Sequence, residues 1–496
     1  MEYQNPIVKG MYPDPSVCRA GDKYYLVCST FQYFPGVPLF ESEDMVNWKQ
    51  IGHCLTRPSQ VMLEGVRSSG GIFAPTIRYH EGRFYMVTTN DSTRENFYVY
   101  TDDIYGEWSD PIKVEQDGID PSLYFEGDRT YFISNGADDD NKGCIQMCEI
   151  DVKTGKKLSG RKILWHGTGG RYLEAPHLYR FGDWYYLLEA EGGTEYGHMV
   201  NYARSKDKWG PYEPYPNNPV LTNRNLGGYS LQGAGHGDII EDRNGNWWFI
   251  HLAFRQIGMW KTFHHLGRET CLEPLYWNED GWFTIGEEKT ARLEHTLDIN
   301  GEYQEQQPLK EKTFETTNWD KEWCYLRIPR FENYKKGKDS LALRGSKVTL
   351  DEADTPTFLG IRQQEFHMNL DCNVRPGQQE AGITIYADEK AHYDFGVRGT
   401  EKGTSVFVRY TIGEMKQVIN EFDVTEQEIC LHIKADPDQY AFYVGENDGI
   451  CLGKLETRFL SSEVAGGFTG VFIGLYAEND SDKEQWAEFS NFKITY

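Results

Sequence analysis

A short pattern recurs five times within roughly the first three hundred residues, and it limits the folds open to this chain more than any other feature. Each copy joins a short β-like stretch to an aromatic-rich one across a Gly- or Asp-containing turn. The copies run from Asp14-Pro15-Ser16-Val17 to Lys23-Tyr24-Tyr25-Leu26-Val27, and from Ala74-Pro75-Thr76-Ile77 to Arg83-Phe84-Tyr85-Met86-Val87. The third runs from Asp120-Pro121-Ser122-Leu123 to Thr130-Tyr131-Phe132-Ile133. The fourth runs from Ala175-Pro176-His177-Leu178 to Trp184-Tyr185-Tyr186-Leu187-Leu188, and the fifth from His236-Gly237-Asp238-Ile239 to Trp247-Trp248-Phe249-Ile250. An apolar anchor (Val17, Ile77, Leu123, Leu178, Ile239) precedes its aromatic by eight residues in four copies and by nine in the fifth. Both arms read as strands of a hairpin. Anchor-to-anchor steps of 60, 46, 55 and 61 residues leave room for two further strands per copy. Four strands repeated radially make a β-propeller, here with five blades. A tandem array of sandwiches needs a longer repeat, near one hundred residues.

The repeat also predicts where chemistry sits. The innermost strand of a blade faces the central channel, and its start opens at one mouth. The position three before each anchor is Asp14, Ala74, Asp120, Ala175 and His236, with Glu174 one residue earlier in the fourth blade. Three carboxylates and a histidine therefore converge on one axis. An isolated Asp-Pro is an ordinary turn. Acids recurring at one phase of a repeat are costly to desolvate together and point to function.

Composition narrows the classes. The formal charge is 51 − 76 = −25, which disfavours nucleic acid and anionic membrane surfaces and suits a neutral small substrate. Aromatics make up 14 % of the residues; most belong to a β core, and a few are candidates for stacking on sugar rings. The start, Met-Glu-Tyr-Gln-Asn-Pro, lacks a basic stretch followed by an apolar one, and no apolar run approaches a membrane span, so a cytoplasmic location is expected. The ten cysteines include no zinc-like CxxC pair and read as buried thiols.

At these residues the chain resembles glycoside hydrolase family 43. The matching text is Tyr12-Pro13-Asp14-Pro15-Ser16, Gly118-Ile119-Asp120-Pro121-Ser122, Glu174-Ala175-Pro176-His177-Leu178 and His265-Leu266-Gly267-Arg268-Glu269, with Phe34-Pro35-Gly36-Val37-Pro38 and Gly192-Gly193-Thr194-Glu195-Tyr196. The resemblance implies inverting hydrolysis, with Asp14 as general base and Glu174 as general acid. Asp120 would orient Glu174 and raise its pKa by like-charge repulsion. Arg268 would reach the sugar hydroxyls and help keep Asp14 ionised. Phe31, Phe73 and Thr194 would line the non-reducing-end subsite. His236 resembles the family's histidine at the bottom of the site and is a candidate neighbour of a Ca²⁺ ion in the channel; no cofactor is otherwise required. Two departures stand out. The chain reads Leu173-Glu174-Ala175-Pro176 where the family often has Pro-Glu-Gly-Pro-His, and Gly235-His236-Gly237-Asp238 where it often has Gly-His-Ala-Asp.

The aromatic repeat stops after Leu297, and a polar stretch with Gln-Glu-Gln-Gln-Pro follows. The expected organisation is a propeller over 1–299, a linker over 300–312 and an all-β, jelly-roll-like sandwich over 313–496. In the sandwich, Gly466-Gly467-Phe468-Thr469-Gly470 resembles a loop that covers the active-site mouth, and Phe468 would close one end of the channel. A blocked pocket admits only a chain end. The resulting expectation is an exo-acting β-1,4-xylosidase on short xylo-oligosaccharides, with α-L-arabinofuranosidase or dual activity as the alternative. A non-catalytic sugar-binding propeller would be expected to lack the acid or the base. The expected partner is a small oligosaccharide, with self-association open.

Overall fold

The computed structural model describes residues 1–400, 403–445 and 449–496, and Thr400 by its backbone alone. Its first half holds five four-stranded antiparallel sheets, one per copy of the repeat. Their innermost strands are Ser16–Ala20, Thr76–His80, Ser122–Glu126, Glu174–Phe181 and Leu231–Glu241. In each blade the second strand returns across a turn whose glycine has positive φ: Gly21, Gly82, Gly127, Gly182 and Gly245. Four of these are two-residue hairpins, closed by the pairs Ala20↔Lys23, His80↔Arg83, Glu126↔Arg129 and Phe181↔Trp184. Such turns need a residue that tolerates the left-handed region. In the fifth, Asp242 N donates to Asn246 O at 2.8 Å, leaving a three-residue loop. That extra residue accounts for the ninth-residue spacing there.

The anchors and aromatics of the repeat are all buried and form the cores between neighbouring blades. Val17 packs with Trp248 and Ile250 between the fifth and first blades. Leu123 joins Tyr85 and Phe132 between the second and third, and Leu178 joins Tyr131 and Leu187 between the third and fourth. Among the described residues no strand is shared between the first and last blades. The ring is instead secured by the N-terminal segment: Glu2–Gln4 pairs with Glu294–Thr296, and the amides of Ile7 and Val8 donate to Thr270 O.

A polar tier crosses the channel. Asp238 of the fifth blade accepts from Arg78 of the second (2.6 Å), Tyr179 of the fourth (2.5 Å) and Ser16 of the first (2.6 Å). Arg78 also lies 2.8 Å from His177 Nδ1. Four blades are thereby tied at one level by an ion pair whose carboxylate is buried and whose guanidinium is largely so.

From Lys312 onward two antiparallel sheets of eight and six strands face each other across an apolar core. Between them and the propeller runs the intervening polar segment, pinned to the propeller by paired bonds between Gln306 and Gln4. The interface contains an apolar cluster, in which Met11, Phe31 and Tyr33 meet Leu326, Phe358 and Phe472, and buried arginines beside it: Arg327 donates to Val66 O and Arg362 to Met11 O. Among the described residues no helix is long and apolar enough to cross a membrane.

Candidate active site

The three carboxylates and the histidine meet in the channel: Asp14 and Asp120 lie just before their innermost strands, Glu174 opens its own, and His236 sits midway along the longer strand of the fifth blade. Asp14, Asp120, Ala175 and His236, all at the same phase of the repeat, have left-handed backbones with φ of 55°, 53°, 54° and 37°. Non-glycine residues adopt this region at a cost, and its recurrence in four blades marks a site where side-chain direction is bought with backbone strain. In the fourth blade the left-handed residue is Ala175, and a register shift follows between Glu174 and His177. The irregularity re-aims the preceding side chain, Glu174.

Asp14 is buried and doubly held. Its Oδ1 accepts from Arg268 Nη1 at 2.8 Å, its Oδ2 accepts from Ser29 Oγ at 2.5 Å, and His236 Nδ1 lies 3.8 Å away. Burial alone would raise its pKa, but Arg268, His236 and the Ser29 bond outweigh burial and leave it below the usual carboxylate range. Glu174 is half-buried and is pushed the other way, well above its ordinary value, by desolvation and then by the charges of Asp120 and Asp14. Asp120 is raised to about 6 by burial and by Asp14, against the pull of His236. Its Oδ2 accepts the amide of Ala175 at 3.2 Å, which braces the chain immediately beside Glu174.

Arg268 links most of the other predicted residues. Nη1 also donates to Thr194 Oγ1 at 2.7 Å, and Nη2 donates to the carbonyl of Phe468 at 3.3 Å. Its guanidinium lies 5.7 Å from the ring centres of both Phe31 and Phe468. Those two rings stack at 6.1 Å and 24°, and Phe73 meets each edge-on. Phe468 is therefore not in the sandwich core. It projects from that domain into the propeller, with its amide donating to Ser69 Oγ at 2.8 Å. Glycines make the approach feasible: a Cβ on Gly470 would lie 2.3 Å from Leu266 O, and one on Gly267 3.0 Å from Gly470 Cα.

Outside this aromatic wall lies a cavity of ≈ 460 Å³, lined on the propeller side by Arg171, Tyr172, Glu174, Thr194, Tyr196 and Arg268, and on the sandwich side by Glu463 and Phe468. Several of these were not foreseen. The loop carrying Arg171 and Tyr172 towards Glu174 is held by Glu191, which accepts the amides of Thr168 (2.6 Å) and Gly170 (2.7 Å). Tyr196 and Glu191 sit in or beside the Gly192–Gly193 stretch already singled out, so a local signal existed for them. Ser29, Ser69 and Glu463 carried none.

Calcium takes about six to eight oxygen ligands. Both Asp14 oxygens are already engaged beside His236, and among the described residues no group of three or more His, Cys, Asp or Glu side chains could hold a metal ion. The residues here do not fit a direct protein cage for calcium.

Comparison with known proteins fits this geometry to a family. The model of "Glycosyl hydrolases family 43" matches residues 3–283. The chain belongs to this family. It is accordingly a glycosidase, and its second half, residues 311–495, matches the "Beta xylosidase C-terminal Concanavalin A-like domain". This family-43 chain is 38% identical over 492 residues to the "Non-reducing end alpha-L-arabinofuranosidase BoGH43B" of Bacteroides ovatus, covering 96% of this chain and 92% of that one. It is 35% identical over 515 residues to a "Xylosidase/arabinosidase" of Butyrivibrio fibrisolvens, covering 99% and 98%. Among solved structures, xylan beta-1,4-xylosidase from Bacillus halodurans superposes with a TM-score of 0.91 at 31% identity, over 99% of this chain and 100% of that one.

Proposed function

We propose that this glycosidase releases single xylose units from the non-reducing ends of β-1,4-xylo-oligosaccharides with inversion at the anomeric carbon. Water attacks that carbon while Asp14 takes one of its protons. The bond to the leaving oxygen breaks as Glu174 donates a proton to it, so the products are a free pentose and a shortened oligosaccharide. The observation that carries this reading is the opposite displacement of two carboxyls in one site: Asp14 is held ionised by Arg268, and Glu174 is held protonated by burial and by Asp120. Asp120 serves as modulator and orienter through its charge and its bond to the Ala175 amide. Arg268 and Thr194 bind sugar hydroxyls, while Phe31, Phe73 and Phe468 enclose the sugar ring. Exo action follows from the wall formed by Phe468.

A second reading, α-L-arabinofuranosidase or dual activity on arabinoxylan or arabinan fragments, is favoured by a specific observation. The relative from B. ovatus is named an arabinofuranosidase, and that from B. fibrisolvens carries both names. The test is a paired assay on 4-nitrophenyl β-D-xylopyranoside and α-L-arabinofuranoside, with xylobiose alongside. Xyloside and xylobiose turnover is expected. Faster turnover of the arabinofuranoside would favour the second reading, and turnover of none of the three would overturn both.

A further inference from the structure

Glu463 is an acid of the sandwich domain that the hydrolytic chemistry does not use, yet both of its oxygens are committed to the propeller. It lies in a single helical turn, Ser462–Ala465. Its Oε1 accepts from Tyr196 Oη at 2.7 Å and lies 2.8 Å from His264 Nδ1, and its Oε2 accepts the backbone N–H of His264 at 3.1 Å. The amide of Ser462 adds a bond to His264 O at 3.4 Å. The two donors come from different blades and are set by one ring: His264 stacks on Phe254 at 3.9 Å, and Tyr196 meets its face edge-on at 5.1 Å. Burial would raise the carboxyl of Glu463, but the bonds from His264 and Tyr196 outweigh it and hold the group at about 2.

Four residues separate Glu463 from Phe468. Gly466 and Gly467 both have positive φ, 80° and 77°, and turn the chain sharply between them. Beyond Phe468, the amide of Val471 donates to His265 O at 2.9 Å. The segment is thus fastened at both ends to the same stretch of the fifth blade, with Arg268 and Ser69 holding its middle.

We propose that Glu463 is a positioning residue for substrate binding: its clasp on Tyr196 and His264 fixes the aromatic wall made by Phe468. The proposal rests on the reading of Phe468 as a wall of the sugar pocket. A charge-assisted carboxylate with three donors is a strong and directional anchor, and a short turn of fixed geometry transmits its position to the ring.

The test is a double-mutant cycle on the full chain, using whichever aryl glycoside is turned over. Glu463→Ala is expected to raise KM on the order of fivefold while kcat changes by less than about twofold. Glu463→Gln, which keeps an acceptor oxygen, is expected to recover most of that loss. In a Phe468→Ala background, Glu463→Ala is expected to leave KM where Phe468→Ala has set it, because contacts acting through one element are not additive. If Glu463→Ala raises KM by the same factor in both backgrounds, Glu463 acts independently of the wall and the proposal fails. If Glu463→Ala does not fold, Glu463→Asp, whose shorter side chain draws the carboxylate back from Tyr196 and His264, carries the same cycle. An unchanged KM in Phe468→Ala alone would overturn the wall as well as the clasp, whereas a raised KM with additivity would overturn the clasp only.

Discussion

At the scale of single residues, the division of labour between chemically similar carboxyls comes from their neighbours. Asp14 faces Arg268, His236 and Ser29 and stays ionised; Glu174 faces Asp120 and Asp14 and keeps its proton. Activity should therefore rise as pH climbs through the depressed pKa of Asp14 and fall as pH climbs through the raised pKa of Glu174. Asp120→Asn removes one negative charge beside Glu174 and so lowers its pKa. The alkaline limb of kcat/KM is expected to move to lower pH by on the order of one unit, with the acid limb nearly fixed. A pH profile of the variant checks this, and an unmoved alkaline limb would separate Asp120 from the acid. The local chemistry at these positions was legible because Asp14, Asp120 and His236 occur at one phase of a repeat. Their shared left-handed backbone was not, since nothing in Asp-Pro or His-Gly dictates φ near +50°. Ala175 adopts the same conformation although it carries a Cβ, at a cost that a glycine would not bear.

At the scale of elements, the hairpins and the wall loop show two kinds of legibility. Each blade's first turn could be read because strand, turn glycine and aromatic strand follow one another within a dozen residues or so. The loop around Phe468 could be read only through likeness, because its partners Ser69, Tyr196, His264 and Arg268 lie 399, 267, 199 and 200 positions away in the chain from the residues they meet. No local pattern encodes such distances. The loop's approach depends on a lack of side chain at Gly470, where a Cβ would meet the backbone of Leu266 and Gly267 at 2.3–2.5 Å. Backbone at that range cannot yield as a flexible side chain can. Gly470→Ala is expected to lift the loop and raise KM for small substrates about tenfold, as small displacements in a binding wall can do. Steady-state kinetics on an aryl glycoside check this; a wild-type KM would mean that the loop tolerates the methyl group without moving Phe468.

For the whole molecule, a propeller whose first and last blades share no strand among the described residues needs other ties, and the tier of Ser16, Arg78, His177, Tyr179 and Asp238 supplies one through the channel. Asp238 was visible in the sequence as an acid beside His236, but its pairing with Arg78 across 160 positions was not. Burial would raise Asp238, yet Arg78 dominates and holds it well below the carboxylate range. The stability it contributes is present above the ordinary carboxylate pKa and is lost as pH falls through its depressed value. Asp238→Ala leaves Arg78 buried without its counter-charge and is expected to cost about 3–5 kcal/mol at neutral pH. For a chain of this length that corresponds to a fall in Tm of roughly five degrees. Calorimetry at pH 7 checks it, and a change within a degree or two would show that the tier does not tie the ring. The sandwich was legible as alternating strands, while its share in the pocket wall emerges only when the two halves are packed together. The most direct test of the assembled site is the stereochemistry of its product. Proton NMR of the first-formed sugar during hydrolysis of a β-xyloside is expected to show the α-anomer of xylose, followed by mutarotation. Initial appearance of the β-anomer would contradict Asp14 acting as a base on water.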